Sequence, residues 1–302
     1  MTRPLDGEAV AAPLREELRT AVGTLAEAGV RPGLGTVLMS DDPADARFVE
    51  LKHEACAEVG LASVRREVDP DAPPGALHAA IDDLNEDADV HGVFVQLPLP
   101  GHVDVPAVRE RIDPAKDVDC FHPENLGRLV AGDPRFEPAT PRAILALLAS
   151  TGVETEGADV TIVGRSDVVG KPLANLLLQR GPGGDATVTV CHSHTQDLAA
   201  RTSEADVVVT GAGVPGLVDG SMLSPGVVVI DASANRVERD DGAGYEVVGD
   251  VDYESAEEVA SAITPVPGGV GPVTLAMLLY NVVAAASRQT ATPVDLPEID
   301  RS

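Results

Sequence analysis

Short apolar runs alternate with amphipathic runs along nearly the whole chain, and this alternation constrains the fold more than any other feature. "RPGLGTVLM", "ASVRREV" and "VHGVFVQLPLP" read as strands, the last one buried and stopped by prolines. Between them, "DDPADARFVELKHEACAEVG", ended by Gly60, and "ALHAAIDDLNED" carry helical spacing. Residues 4–29 predict another amphipathic helix, with Val10, Leu14, Leu18, Val22 and Leu25 on one face. A second series begins at "ADVTIVG" and runs through "TVTVCH", "ADVVVTGAG" and "GVVVIDAS". Strands joined by helices pair in parallel, because a parallel connection must cross back over the sheet. The expectation is an α/β protein in two parts.

The boundary follows from the intervening sequence. "RERIDPAKDVDCFHPENLGRLVAGDPRFEPAT" is loop-rich, and "TPRAILALLAS" then starts a helix with Thr140 as cap and Pro141 in its first position. This predicts a first domain over 1–138 and a second over 139–271. An apolar helix over 272–288 completes the first, and a tail over 289–302 is expected to be disordered.

Composition narrows the function classes. Forty-nine acidic residues against 22 basic ones give a net charge of −27, which repels nucleic acid and anionic membranes. An acid-rich surface with only three lysines and 2% aromatics predicts a protein at home in concentrated salt, where self-repulsion is screened. No apolar run reaches the ~20 residues of a membrane span, and "MTRPLDGEAV" lacks the apolar core of a secretory signal. Cys56, Cys120 and Cys191 show no metal-ligand spacing, and their odd count argues against a disulfide framework. A cytoplasmic protein that binds no metal, membrane or nucleic acid is the expectation.

"VTIVGRSDVVGKPLANLL" contains a glycine-rich turn between strand and helix. Five residues separate Gly164 from Gly170, one more than a P-loop has, and Pro172 occupies the place of the magnesium-binding Ser or Thr. ATP is thereby disfavoured. A dinucleotide turn needs a strand, a tight turn and a helix N-terminus facing phosphate, and this stretch supplies them. Alone, Gly164-x-Ser166-x-x-x-Gly170 is a weak variant of the fingerprint. The next strand ends in Cys191, His192, Ser193, His194 and Thr195, without the acid that grips a ribose 2′-hydroxyl in NAD sites. Arg165 and these hydroxyls suit a 2′-phosphate, hence NADP.

A second set of polar residues lies in the first part. Lys52 shares a helix face with Phe48, Cys56 and Val59, so it projects from the apolar side. Gln96 ends the strand "GVFVQ", where ligands of open α/β sheets gather. Asp119 sits in the loop "KDVDCFHPEN". Each has a plain structural reading as well: a snorkelling lysine, a strand-end cap and a turn former.

Together, "FVELKHEACAEVG", "VQLPLP", "KDVDCFHPEN", "TPRAI", "VGRSDVVGKP" and "ITPVPGGVGPVT" are more specific. In this order they resemble the bifunctional methylenetetrahydrofolate dehydrogenase/methenyltetrahydrofolate cyclohydrolase family, from about residue 5 to about 288. The resemblance implies two α/β domains, the second Rossmann-like, joined by long helices with a folate cleft between them, and a homodimer. It implies NADP-dependent oxidation of 5,10-methylenetetrahydrofolate and hydrolysis of the methenyl product to 10-formyltetrahydrofolate. It makes Lys52 the catalytic lysine, Gln96 its hydrogen-bonding partner and Asp119 the acid that holds the pterin. Phe48, Leu97, Pro98, Pro267, Gly268 and Gly269 fall at folate-binding positions. Gly164, Arg165, Ser166, Gly170, Ser193 and Ala234 fall at NADP-binding positions. Three departures stand out: Phe48 replaces the usual tyrosine, Cys120 the usual glycine, and "DASAN" the usual Val-Gly-Ile-Asn ending. The first motivates an alternative, a monofunctional dehydrogenase. A non-catalytic NADP-binding regulator is a third reading, against which Lys52, Gln96 and Asp119 together argue.

Overall fold

The computed structural model describes residues 2–239 and 244–299, in two compact units. One unit comprises residues 13–139 and 275–298. Its sheet has three parallel strands, with Gly33–Leu38 between Ala62–Glu67 and Gly92–Val95. The central strand is buried along its whole length, which explains its unbroken run of small and apolar residues. The Pro43–Val59 helix starts where the Asp42 carboxylate accepts the Ala44 amide at 2.8 Å. It ends at Gly60, whose left-handed φ of 89° stops the helix. The Pro74–Glu86 helix buries Leu77, Ile81 and Leu84 against Val37, Val93 and Val95 of the sheet. Each such side chain contributes roughly 1.5–3 kcal/mol.

Lys116, one of the three lysines, is buried and donates to the carbonyls of Leu84, Asn85 and Asp87 at 3.2, 2.7 and 2.7 Å. It thus satisfies the orphan carbonyls at the end of the Pro74–Glu86 helix. Lys116→Met keeps the apolar stem and removes all three bonds. We expect a loss of about 3 kcal/mol in urea unfolding; an unchanged midpoint would mean that water replaces the ammonium without cost.

The other unit comprises, of the described residues, those within 2–12 and 140–274, with Ile299. Its six parallel strands run Arg3–Pro4, Ala262–Ile263, Val228–Asp231, Val207–Thr210, Asp159–Val163 and Thr187–Cys191 across the sheet. The chain goes outward from Asp159–Val163 to Thr187–Cys191, then returns to the opposite side with Val207–Thr210. This reversal creates the crevice at which doubly wound sheets bind ligands. Val163, Val208, Val229 and Ile263 pack with Val218, Leu223 and Ala256 on one face.

Several expectations are corrected. Residues 2–12 belong with the second unit, not the first, because Arg3–Pro4 pairs with Ala262–Ile263. The helix predicted over 4–29 covers Gly7–Glu27. The stretch read as loop-rich holds the helix Pro123–Val130, and its first three residues are the end of another, Val105–Arg111. Thr140 lies inside a helix spanning Ala139–Thr151 and does not cap it. The antiparallel pairing of Asn235–Glu238 with Tyr245–Val248 is absent from the sequence expectation. The last helix spans Val270–Gln289, and its residues from 275 onward belong to the first unit. It is long and apolar enough to cross a membrane, but two thirds of its most apolar stretch is buried. Its Asn281 amide donates to the carbonyls of Val118 and Glu137, as in a core helix. Of the tail, residues 300–302 lie outside the described residues.

Candidate active site

The helical periodicity that placed Lys52 on the inner face is realised in space. Its ammonium lies 4.3 Å from the Phe94 ring centroid. It donates to the Phe48 carbonyl at 3.2 Å and to Gln96 Oε1 at 3.3 Å. Gln96 is buried just beyond the Gly92–Val95 strand, where its amide extends the ladder to the Val37 carbonyl. Its Nε2 donates to the Leu97 carbonyl at 2.6 Å, which leaves Oε1 turned toward Lys52. Leu97 and Pro98 follow directly. Phe48, one helical turn before Lys52, keeps 44% of its surface exposed and offers a ring face for stacking.

Electrostatics separate this lysine from a snorkelling one. Burial lowers its pKa to about 8, against the opposing charges of Asp119 and Asp45. The Asp119 carboxyl is pushed up to about 7, by burial first and then by Asp117, while Lys52 and an Ala139 backbone hydrogen bond oppose the shift. Each charge thus favours the other, while burial brings both groups toward neutrality. Two residues were not singled out from the sequence. Phe94 lies under the ammonium and favours its charged form. Asp117 is buried and accepts the amides of Phe121 and His122 and the Asn125 side chain at 3.0, 2.8 and 2.8 Å. It fixes the loop that carries Asp119. Beside it, Cys120 adopts a φ of 60°, the left-handed region that glycine enters freely and other residues at a cost of roughly 1–2 kcal/mol.

In the other unit, the turn after Asp159–Val163 is built for close approach. Gly164 has a φ of 136°, and a Cβ there would lie 2.4 Å from the Gly211 carbonyl oxygen. A Cβ on Gly170 would lie 2.2 Å from the Gly164 carbonyl oxygen. Gly164 donates to the Cys191 carbonyl, tying the turn to the neighbouring strand end. Arg165, Ser166, Ser193 and Ala234 are exposed around these strand ends. Ser166 also holds the Val169 amide at 3.1 Å, shaping the entry to the Gly170–Leu177 helix. Lys171 pairs with Asp167 at the surface, unlike a P-loop lysine aimed at phosphate. His192 Nδ1 accepts the His194 amide at 3.2 Å. The side-chain-free cradle at the sheet's reversal point fits a dinucleotide pyrophosphate. Pro267, Gly268 and Gly269 lead into the last helix, with the Gly269 amide on the Pro265 carbonyl and the Gly7 amide on Gly268.

Comparison with known proteins decides the family. Residues 5–119 match the family model "Tetrahydrofolate dehydrogenase/cyclohydrolase, catalytic domain", and residues 138–290 match its "NAD(P)-binding domain". The chain belongs to the tetrahydrofolate dehydrogenase/cyclohydrolase family. It is 60% identical over 297 residues to "Bifunctional protein FolD" of Natronomonas pharaonis, covering 98% of this chain and 100% of that one. A Trypanosoma brucei dehydrogenase-cyclohydrolase, solved with NADP cofactor and inhibitor, superposes with a TM-score of 0.91 at 40% identity, covering 96% of this chain and 98% of that one. The bifunctional enzyme of Campylobacter jejuni gives 0.89 at 40% identity, covering 96% and 100%.

Proposed function

We propose that this chain catalyses the NADP-dependent oxidation of 5,10-methylenetetrahydrofolate and the hydrolysis of the resulting methenyl compound to 10-formyltetrahydrofolate. Family membership and the relatives with both activities support this reading. The observation that carries it is Lys52, half-buried, bonded to Gln96 and lowered to about 8 beside Asp119. NADP supplies a hydride acceptor; Gly164, Gly170, Arg165, Ser166, Ser193 and Ala234 are the residues that hold it. Phe48 stacks on the aminobenzoyl part of the folate, and Asp119 holds the pterin. Leu97 and Pro98, next to Gln96, border the substrate.

In hydrolysis, water adds to the methenyl carbon and gives up a proton. The bond from that carbon to N5 then breaks as N5 is protonated and the added oxygen loses its second proton, so one proton is released per turnover. Lys52 is the base for the first transfer and the acid for the second. With a pKa near 8, a useful share of it is neutral at pH 7–8, against well under 1% at the ordinary value of about 10.4. Gln96 orients the amine without adding a negative charge, which would raise its pKa again.

The test is absorbance of methenyltetrahydrofolate, formed with NADP and then consumed. Formation without consumption would leave only the dehydrogenase. Comparing kcat/KM for the two cofactors checks the Arg165 and Ser193 assignment. One charge-assisted contact to a 2′-phosphate is worth ~1.5–3 kcal/mol, so NADP is expected to lead by at least about tenfold. Equal values would remove it.

The same reading includes a cytoplasmic homodimer that works in concentrated salt. The charge of −27 supports the last part. At 1 M salt the Debye length is about 3 Å, so repulsion among surface acids is largely screened. The melting temperature should rise from low to molar KCl; a flat or falling profile would count against salt adaptation.

A further inference from the structure

The loop after Val207–Thr210, Gly211-Ala212-Gly213-Val214, has no polar side chain with which to fix its own shape. Asp250 does this for it. One carboxylate oxygen accepts the amides of Ala212 and Gly213 at 2.6 and 3.1 Å. The other accepts the Val214 amide at 2.8 Å and the Asn235 side-chain amide at 2.9 Å. Asp250 is fully buried, so these four donors take the place of water around the charge. The first fastened segment borders the glycine turn, and the second lies against the first, with Asn235 Oδ1 3.9 Å from where a Cβ on Gly213 would sit. Gly211 is the backbone against which Gly164 packs, and Asn235 follows Ala234 directly.

We propose that Asp250 is a positioning residue for the dinucleotide, holding the Gly211–Val214 loop and the Ala234–Asn235 segment at the spacing the NADP site needs. This rests on the NADP reading above. Asp250 does not touch the cofactor in this account: its oxygens are used by the protein. Its own backbone is fixed separately, by the Val218 amide on the Asp250 carbonyl and by the parallel bridge between Val218 and Val251. Removing acceptor capacity from the side chain therefore loosens the loop without unpinning residue 250.

Asp250→Asn keeps the volume but replaces one acceptor oxygen by an NH2 group, which must face amide donors. Calorimetric titration with NADP is expected to give a Kd raised tenfold or more, with KM for NADP rising in parallel and kcat at saturation changing much less. Hydrolysis of methenyltetrahydrofolate supplied directly, without NADP, should keep at least half its rate. Asn235→Ala removes one of the four donors and should raise the Kd about threefold; it keeps the test open if Asp250→Asn does not fold. An unchanged Kd in folded Asp250→Asn or Asn235→Ala would overturn the proposal. So would equal losses of both activities with a lowered melting temperature, the pattern of a merely structural residue. If the unmodified protein bound no NADP, the cofactor reading itself would fail.

Discussion

Lys52→Met is expected to lower hydrolysis of methenyltetrahydrofolate by ~10²–10⁴-fold, the range supplied by a positioned general acid–base group. Dehydrogenase activity should fall less, so methenyltetrahydrofolate accumulates when methylenetetrahydrofolate and NADP are supplied together. The two reactions ask different things of the site. Oxidation requires the methylene carbon to be held in place, which is chiefly positioning. Hydrolysis requires a proton to leave water and another to reach N5. Methionine fills the space over Phe94 but cannot carry a proton, so it separates the two demands. The pH profile gives a second check. The lysine pKa is lowered, so its neutral form grows as pH rises through about 8, and the wild-type hydrolytic rate should climb across that interval. Below about 7, protonation of Asp119 removes the charge that favours the ammonium. The ionisation of Asp119 therefore opposes the loss of the lysine proton along the rising limb. Hydrolysis by Lys52→Met at the wild-type rate would return Lys52 to a snorkelling helix lysine.

How much of this was legible in sequence depended on range. Lys52 was legible because helix geometry is local: a residue four places from Phe48 and from Cys56 must share their face. Gln96 was legible because it directly follows a strand whose apolar run marks it as buried. Asp117 and Asp119 look alike in "KDVDC" and differ only in what surrounds them. Asp117 faces the amides of 121 and 122 and the Asn125 side chain, while Asp119 has the Ala139 backbone and the charge of Lys52. Phe94 was hidden because a cation–π contact between a strand and a helix leaves no spacing rule. Asp250 was hidden for a similar reason: its four donors lie 15 to 38 residues away in sequence. The short strand Arg3–Pro4 carries almost no pattern and exists only because Ala262–Ile263 is there to pair with, which makes Arg3–Pro4 the edge of the sheet.

Gly164→Ala should produce the opposite dissection to Lys52→Met: NADP binding weakened by about 100-fold or more, the dehydrogenase lost with it, and hydrolysis of supplied methenyltetrahydrofolate retained. The added methyl would sit 2.4 Å from the Gly211 carbonyl oxygen and 2.7 Å from its carbon. Those atoms are backbone, at the end of a strand paired on both sides, and cannot swing away as a flexible side chain would. Relief therefore requires the turn or the loop to move by about 1 Å, a displacement that costs on the order of 100-fold where groups must be held in place. A φ of 136° adds strain for any residue with a Cβ. Gly216→Ala is the matched control. It lies in the same unit with a φ of 63°, but nothing stands within 4 Å of an added Cβ. It should cost roughly 1–2 kcal/mol of stability and leave the NADP Kd within about twofold. Calorimetry with NADP on both variants, beside their melting temperatures, distinguishes a blocked cradle from a destabilised unit. Equal Kd values for Gly164→Ala and Gly216→Ala would show that close approach at residue 164 is not what the dinucleotide needs.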